Sequence, residues 1–202
     1  MNRINFDHIS GNPLLPEVKE AMIAAINADY GKPSSQHSLG DEATALIDKA
    51  RESVARLINA ALPREVVFTS GGTESVNHAI KGVALANRDK GNHIVISNIE
   101  HNAVNRSIKR LTGMGFKVTS LSVDETGRVK PEEVAKAITE KTILVSIMHS
   151  NNETGTLQPV EEIARIAAER KVLFHTDAVD SVGAVPVRSE EHTSELQSRQ
   201  SI

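Results

Sequence analysis

Val66-Val67-Phe68-Thr69-Ser70-Gly71-Gly72-Thr73-Glu74-Ser75-Val76-Asn77 is the stretch on which the reading of the fold turns. Its β-branched and aromatic start predicts a strand and its glycines a turn. Ala79, Ile80, Lys81, Val83, Ala84, Leu85 and Ala86 then predict a helix. Glycine lets the backbone approach a ligand closely, and the first helical turn presents amides that have no partner within the helix. A strand, a glycine turn and a helix in that order make an anion site, most often for phosphate. Ser70, Thr73 and Ser75 add hydroxyl donors. A plainer reading uses the same residues, with Thr73 or Ser75 capping the helix after a tight connection.

The chain around this stretch alternates strand and helix. Upstream, Pro16 marks a helix start, and Val18, Met22, Ala25 and Ile26 have the spacing of one buried helical face. Gly31-Lys32-Pro33-Ser34-Ser35 breaks that helix, and a long amphipathic helix follows over 41–58. Residues 4–9 read as a short strand. Downstream, apolar runs at 93–97, 116–123, 142–148 and 172–175 alternate with helical patterns at 102–111, 131–138 and 160–170. Runs such as Thr142-Ile143-Leu144-Val145-Ser146-Ile147-Met148 are apolar on both faces, so they predict an α/β fold whose mainly parallel sheet is sandwiched by helices.

Composition narrows the function classes. The 202 residues carry 23 Lys plus Arg against 26 Asp plus Glu, and a net charge of -3 gives no electrostatic footprint for nucleic acid. No apolar run approaches the roughly 20 residues of a membrane span, and Met1-Asn2-Arg3-Ile4-Asn5 lacks a signal-peptide core, so a cytoplasmic protein with no membrane partner is expected. The absence of cysteine agrees with a reducing compartment and excludes a thiolate nucleophile within these residues.

In parallel sheets, ligands gather beyond the carboxyl ends of the strands. The residues standing there are Gly71-Gly72-Thr73, Glu100-His101, Asn151-Asn152-Glu153 and His175-Thr176-Asp177: a phosphate-type turn, an imidazole, an amide and a carboxylate. Each alone has a structural explanation as a cap, a turn or a satisfied histidine. A metal site from His101, His149 and His175 lacks i, i+4 pairing and a carboxylate cluster. A Ser-His-Asp triad lacks a serine in a nucleophile elbow.

Jointly, Thr69-Ser70-Gly71-Gly72-Thr73-Glu74-Ser75 with Asn77, Glu100-His101-Asn102-Ala103-Val104, Asn151-Asn152-Glu153-Thr154-Gly155 and His175-Thr176-Asp177-Ala178 resemble the successive signatures of the cysteine desulfurases. These are pyridoxal 5'-phosphate (PLP) enzymes of the class V aminotransferase group. Phe6-Asp7-His8 with Pro13, and Pro33-Ser34-Ser35 with His37 and Gly40, extend the similarity, which covers residues 1–187.

The resemblance implies a PLP-dependent transferase of fold type I, with an N-terminal segment and a truncated large domain over 1–187. It places the cofactor phosphate on Gly72 and Thr73. His101 would stack on the ring and move protons, Asn152 would bond the ring oxygen, and Asp177 would pair with the ring nitrogen. It further implies L-cysteine as substrate, L-alanine and persulfide sulfur as products, a homodimer at full length, and a sulfur-acceptor or iron-sulfur scaffold partner. A selenocysteine lyase or an aminotransferase of the same group is the nearby alternative. A non-catalytic nucleotide-binding domain is a further one, although the turn has neither G-x-G-x-x-G nor a following Walker lysine.

Two positions depart from the family pattern: Asp180, which the resemblance counts among the cofactor-binding residues, stands where a glutamine bonding the ring oxygen is usual and is expected to turn away from that oxygen or to be held protonated, and Lys32 stands where an asparagine is usual, a surface change of little consequence. From Arg188 to Ile202 the similarity ends, and the segment resembles the translation of a sequencing-adapter oligonucleotide. The family's cofactor-bearing lysine and sulfur-accepting cysteine follow beyond that point. None of Lys81, Lys109 and Lys171 stands at the lysine's family position.

Overall fold

The structure is a computed structural model that describes residues 13–189. The strand read at 4–9 with its Phe6-Asp7-His8 motif, and the tail from residue 190, lie outside the described residues. Two units are distinguished, residues 1–50 and 51–202.

In the first unit, Pro16 opens helix α1 (Pro16–Asn27), where its fixed φ suits the first turn and its missing N–H costs nothing. The helical period is there, but the expected burial is not. No residue of α1 is buried, and Ile26 is 77% exposed. A period determines which side chains lie together, not what covers them. The loop that follows turns back on the start of helix α2 (Ser38–Leu57). Gly31 N donates to Leu39 O and Thr44 Oγ1 to Pro33 O. A Cβ on Gly40 would collide with Ser35 O, so that position requires glycine. Lys32 is exposed, in keeping with a surface departure.

The second unit carries the alternation. A 3-10 turn (Pro63–Glu65) leads to α3 (Gly72–Ala86), β1 (His93–Ser97), α4 (Asn102–Thr112), β2 (Lys117–Leu121), α5 (Pro131–Ala137), β3 (Thr142–Ser146), α6 (Val160–Glu169) and β4 (Leu173–His175). The four strands form one parallel sheet in the order β2-β1-β3-β4. Central strands β1 and β3 are buried at every position, as runs apolar on both faces require.

Successive side chains leave a strand on opposite faces, and this sorts the core into two layers. Ile94, Ile96 and Leu144 pack with Val76 and Ile80 of α3 and Val104 and Leu111 of α4. Val95, Val145 and Ile147 pack with Val134 of α5 and Ile163 and Ala167 of α6. At the opposite end from the strand-end loops, the buried His93 ring lies 2.7 Å from Thr142 Oγ1 and 2.9 Å from Thr119 Oγ1. Burial, with a smaller effect from Lys117, holds its pKa below the ordinary histidine range.

One expected strand is absent. Residues 66–68 are not part of the sheet, and Val67 and Phe68 are exposed. The backbone is extended at Val66, and Arg51 holds the run by donating from Nε to Val66 O at 3.1 Å and lying 5.6 Å from the Phe68 ring centre. An apolar run becomes a strand only where a neighbour offers its amides and carbonyls, and none of the described residues does so here. Helix α3 also starts at Gly72, earlier than the sequence pattern suggests.

Ile80 is fully buried between α3 and the sheet, whereas Leu85 on the same helix is 48% exposed. Ile80→Ala should lower the stability of the chain by about 2–5 kcal/mol in urea denaturation, and Leu85→Ala by less than about 1 kcal/mol. Equal losses would contradict this layering.

Candidate functional site

The connection from β1 runs to β2 on one side of the sheet, while β3 lies on the other side of β1 and leads to β4. The strand order therefore reverses between β1 and β3, and the loops leaving their carboxyl ends diverge. Such a switch point is where open parallel sheets hold ligands.

Two reciprocal hydrogen bonds join these loops. Met148 N, just past β3, donates to Glu100 Oε1 at 3.0 Å, and Asn151 Nδ2 donates to Ile99 O at 3.3 Å. Ser97 Oγ at the end of β1 donates to the same Glu100 oxygen at 2.5 Å, and Asn105 Nδ2 of α4 donates to Glu100 O at 2.8 Å. Glu100 is only 5% exposed. Burial pushes its pKa up to about 7 against the pull of the Ser97 and Met148 bonds, and the neighbouring Asp177 carboxylate adds to the rise.

His101 and Asn152 stand on the joined loops. His101 caps α4, its Nδ1 accepting from Ala103 N at 3.2 Å. With Nδ1 engaged as an acceptor, Nε2 is the ring nitrogen left for another partner. Asn151 Oδ1 accepts from Glu153 N at 3.0 Å and Thr154 N at 2.9 Å, a side-chain turn that leaves Asn152 exposed between them.

Asp177 follows β4. Past the formal strand, His149 N donates to Asp177 O at 2.8 Å, so the β3–β4 pairing carries on into the site. The half-buried Asp177 carboxylate accepts from Val179 N at 3.1 Å. Beneath it, His175 Nδ1 lies 2.8 Å from Ser146 Oγ, and burial lowers the His175 pKa. Asp180 is exposed on the turn that follows.

The glycine turn meets this loop directly. A Cβ on Gly72 would sit 2.8 Å from Val179 Cγ2, so the start of α3 packs against the segment two residues past Asp177 only because Gly72 has no side chain. Ser75 N makes the first backbone bond of α3, to Gly71 O at 3.1 Å, which leaves the amides of Gly72, Thr73 and Glu74 for other partners. Thr73 O accepts from Asn77 Nδ2 at 2.7 Å, and Asn77 Oδ1 accepts from Ser107 Oγ at 3.0 Å, which fixes α3 to α4. Glu74 accepts from both Ser70 N and Ser70 Oγ, and these bonds lower its pKa.

Among the described residues, three buried side-chain polar atoms have no hydrogen-bond partner: Glu100 Oε2, His149 Nδ1 and Thr176 Oγ1. All three lie just past β1, β3 or β4, at the end of the sheet where Gly72, His101, Asn152 and Asp177 stand. The sequence reading gives Glu100 no role of its own. Its signal there is a carboxyl shortly past a strand with an apolar centre, three residues after the serine that ends it.

Comparison with known proteins matches the aminotransferase class-V family over residues 4–194. The chain is 46% identical over 187 residues to the putative cysteine desulfurase IscS 1 of Bacillus subtilis (strain 168), a match covering 93% of this chain and 49% of that protein. It is 48% identical over 184 residues to the cysteine desulfurase IscS of Methanosarcina thermophila, covering 91% and 45%. Among solved structures, a NifS-like protein superposes with a TM-score of 0.90 at 41% identity, covering 95% of this chain and 53% of that one. SspA in complex with cysteine gives 0.88 at 36%, covering 93% and 54%. The chain spans about half the length of the curated relatives it matches. With a family match over nearly its whole length and a strand-end site to accompany it, the chain belongs to the class-V aminotransferase family.

Proposed function

We propose that this chain is the N-terminal part of a PLP-dependent cysteine desulfurase, which converts L-cysteine to L-alanine and passes the sulfur on as a persulfide. The observation that carries the reading is the packing of Gly72 against Val179, which joins a helix-start anion site to the loop of a half-buried carboxylate. Three buried polar atoms without partners at the same end of the sheet further support a site for a polar ligand.

The residues present fit the cofactor. The free amides of Gly72 and Thr73 and the Thr73 hydroxyl would hold its phosphate, aided by the positive end of the α3 dipole. Asp177 would accept a hydrogen bond from the ring nitrogen and keep a proton there. When bound, the group supplies an electron sink for the substrate α-carbon. His101, anchored through Nδ1, would lie against the ring face with Nε2 left to hold or release a proton. The Asn152 amide donates to the ring oxygen. Asp180 replaces a donor with a carboxylate, and its exposure lets water rather than the cofactor solvate that charge.

The lysine and cysteine that complete the reaction belong to a C-terminal half, and the working enzyme is a homodimer that hands sulfur to an acceptor or iron-sulfur scaffold protein. We read residues 1–187 as the N-terminal segment and part of the large domain of a cytoplasmic protein, and 188–202 as a foreign tail on the ground that the family motifs stop at Val187, although the family match itself runs to residue 194. No helix of the described residues is long and apolar enough to cross a membrane.

Three outcomes test this reading. Asp177→Asn should weaken PLP binding to the chain about tenfold or more in equilibrium dialysis, and Thr73→Ala by a smaller factor, because the charge-assisted bond is the stronger of the two. An Asp177 variant that binds as tightly as the parent would refute the assignment. Asp180→Gln should leave cofactor affinity unchanged or raise it, and a large loss would show that the carboxylate contacts the ligand. With no cysteine in its 202 residues, the chain should release neither sulfide nor alanine from L-cysteine in the presence of PLP. Steady turnover would place the chemistry on residues other than those of the family.

A further inference from the structure

Among the described residues Glu100 is the one buried acidic side chain. Joining the β1 and β3 loops needs only an acceptor for Ser97 Oγ and Met148 N, which an uncharged glutamine oxygen would provide without the cost of burying an ionisable carboxyl. The second oxygen, Oε2, is buried and has no partner. Glu100 Oε1 accepts from Met148 N, and the next amide along the chain, His149 N, donates to Asp177 O, so adjacent backbone groups of the β3 loop hold Glu100 and Asp177, and the Asp177 carboxylate opposes a charge on Glu100. The other titratable groups on these strand ends are His101, His149 and His175. Burial lowers the pKa of His149 and His175 and so works against a positive charge on either ring.

We propose that Glu100 is a positioning residue of the Asp177 subsite. Its carboxyl pins the His101 and Asn152 loops to each other, and its charge strengthens the hold of Asp177 on a protonated ring nitrogen. The inference rests on the cofactor reading and adds to it a residue that never touches the cofactor. Two neighbouring carboxylates repel each other, and a cation beside one of them relieves that repulsion. Ligand binding and Glu100 ionisation are therefore linked, each favouring the other by the same factor.

The fold raises the pKa of Glu100 from 4.5 to about 7, so it favours the protonated form. The corresponding stabilisation is complete below the ordinary carboxylate range and is lost as pH rises through about 7. Glu100→Gln should therefore gain melting temperature relative to the parent at pH 8 and not at pH 5.

The binding test uses pyridoxamine 5'-phosphate, whose amine cannot couple to lysines, in equilibrium dialysis with the 202-residue chain from pH 5.5 to 8.5. Parent affinity divided by that of Glu100→Gln should rise from about one at the acid end to about tenfold at the alkaline end. Glu100→Ala, which also breaks the loop connection, should bind weakly throughout. A ratio near one at every pH, with Asp177→Asn still impaired, overturns this inference alone. Absence of binding by the parent, or binding indifferent to Asp177→Asn, overturns the cofactor reading and this inference with it. Should Glu100→Gln fail to fold by circular dichroism, Ser97→Ala replaces it. Losing that donor pushes the Glu100 titration up, so the affinity profile should move to higher pH, and an unmoved profile overturns the proposal.

Discussion

Burial of both faces of β1 and β3 is the constraint from which the rest of the second unit follows. A strand with no solvent-facing side must be covered twice, by α3 and α4 against Ile94, Ile96 and Leu144 and by α5 and α6 against Val95 and Val145. With both faces occupied, polar chemistry is left to the strand ends. The parallel arrangement brings the carboxyl ends of all four strands to one edge, and the order β2-β1-β3-β4 opens that edge between the two most buried strands.

At this edge the protein uses hydrogen bonds between loops where apolar packing runs out. Glu100 reaches across to Met148 N, Asn151 reaches back to Ile99 O, and His149 N extends the sheet to Asp177 O. Each bond satisfies a backbone group that would otherwise be buried without a partner, and each also sets the position of a candidate site residue. The same side chains thus complete the fold and arrange the site, with the cost concentrated in a carboxyl that the fold prefers protonated below about pH 7.

Much of this is legible in the residues. The hydrophobic runs place β1, β3 and β4 within a few positions, since a parallel strand buried on both sides leaves a continuous apolar signature. Pro131 and Pro16 mark helix starts, and Gly71-Gly72 marks the approach to α3. The failures have one cause. Residues 66–68 have the same local pattern as β4, yet Val67 and Phe68 are exposed outside the sheet, and the regular period of α1 lies uncovered. A pattern states what a segment could bury, and burial itself requires a partner from elsewhere in the chain.

The sequence by itself determined the class of fold, the family likeness and the chemical types waiting at the strand ends, because each depends on residue identity and short-range spacing. The tertiary structure decided that Gly72 touches the loop of Asp177, that the β1 and β3 loops are joined through Glu100 and Asn151, and that Glu100 is buried beside a second carboxylate. These contacts link residues dozens of positions apart, and their energies depend on desolvation and on neighbouring charge, which no local pattern encodes.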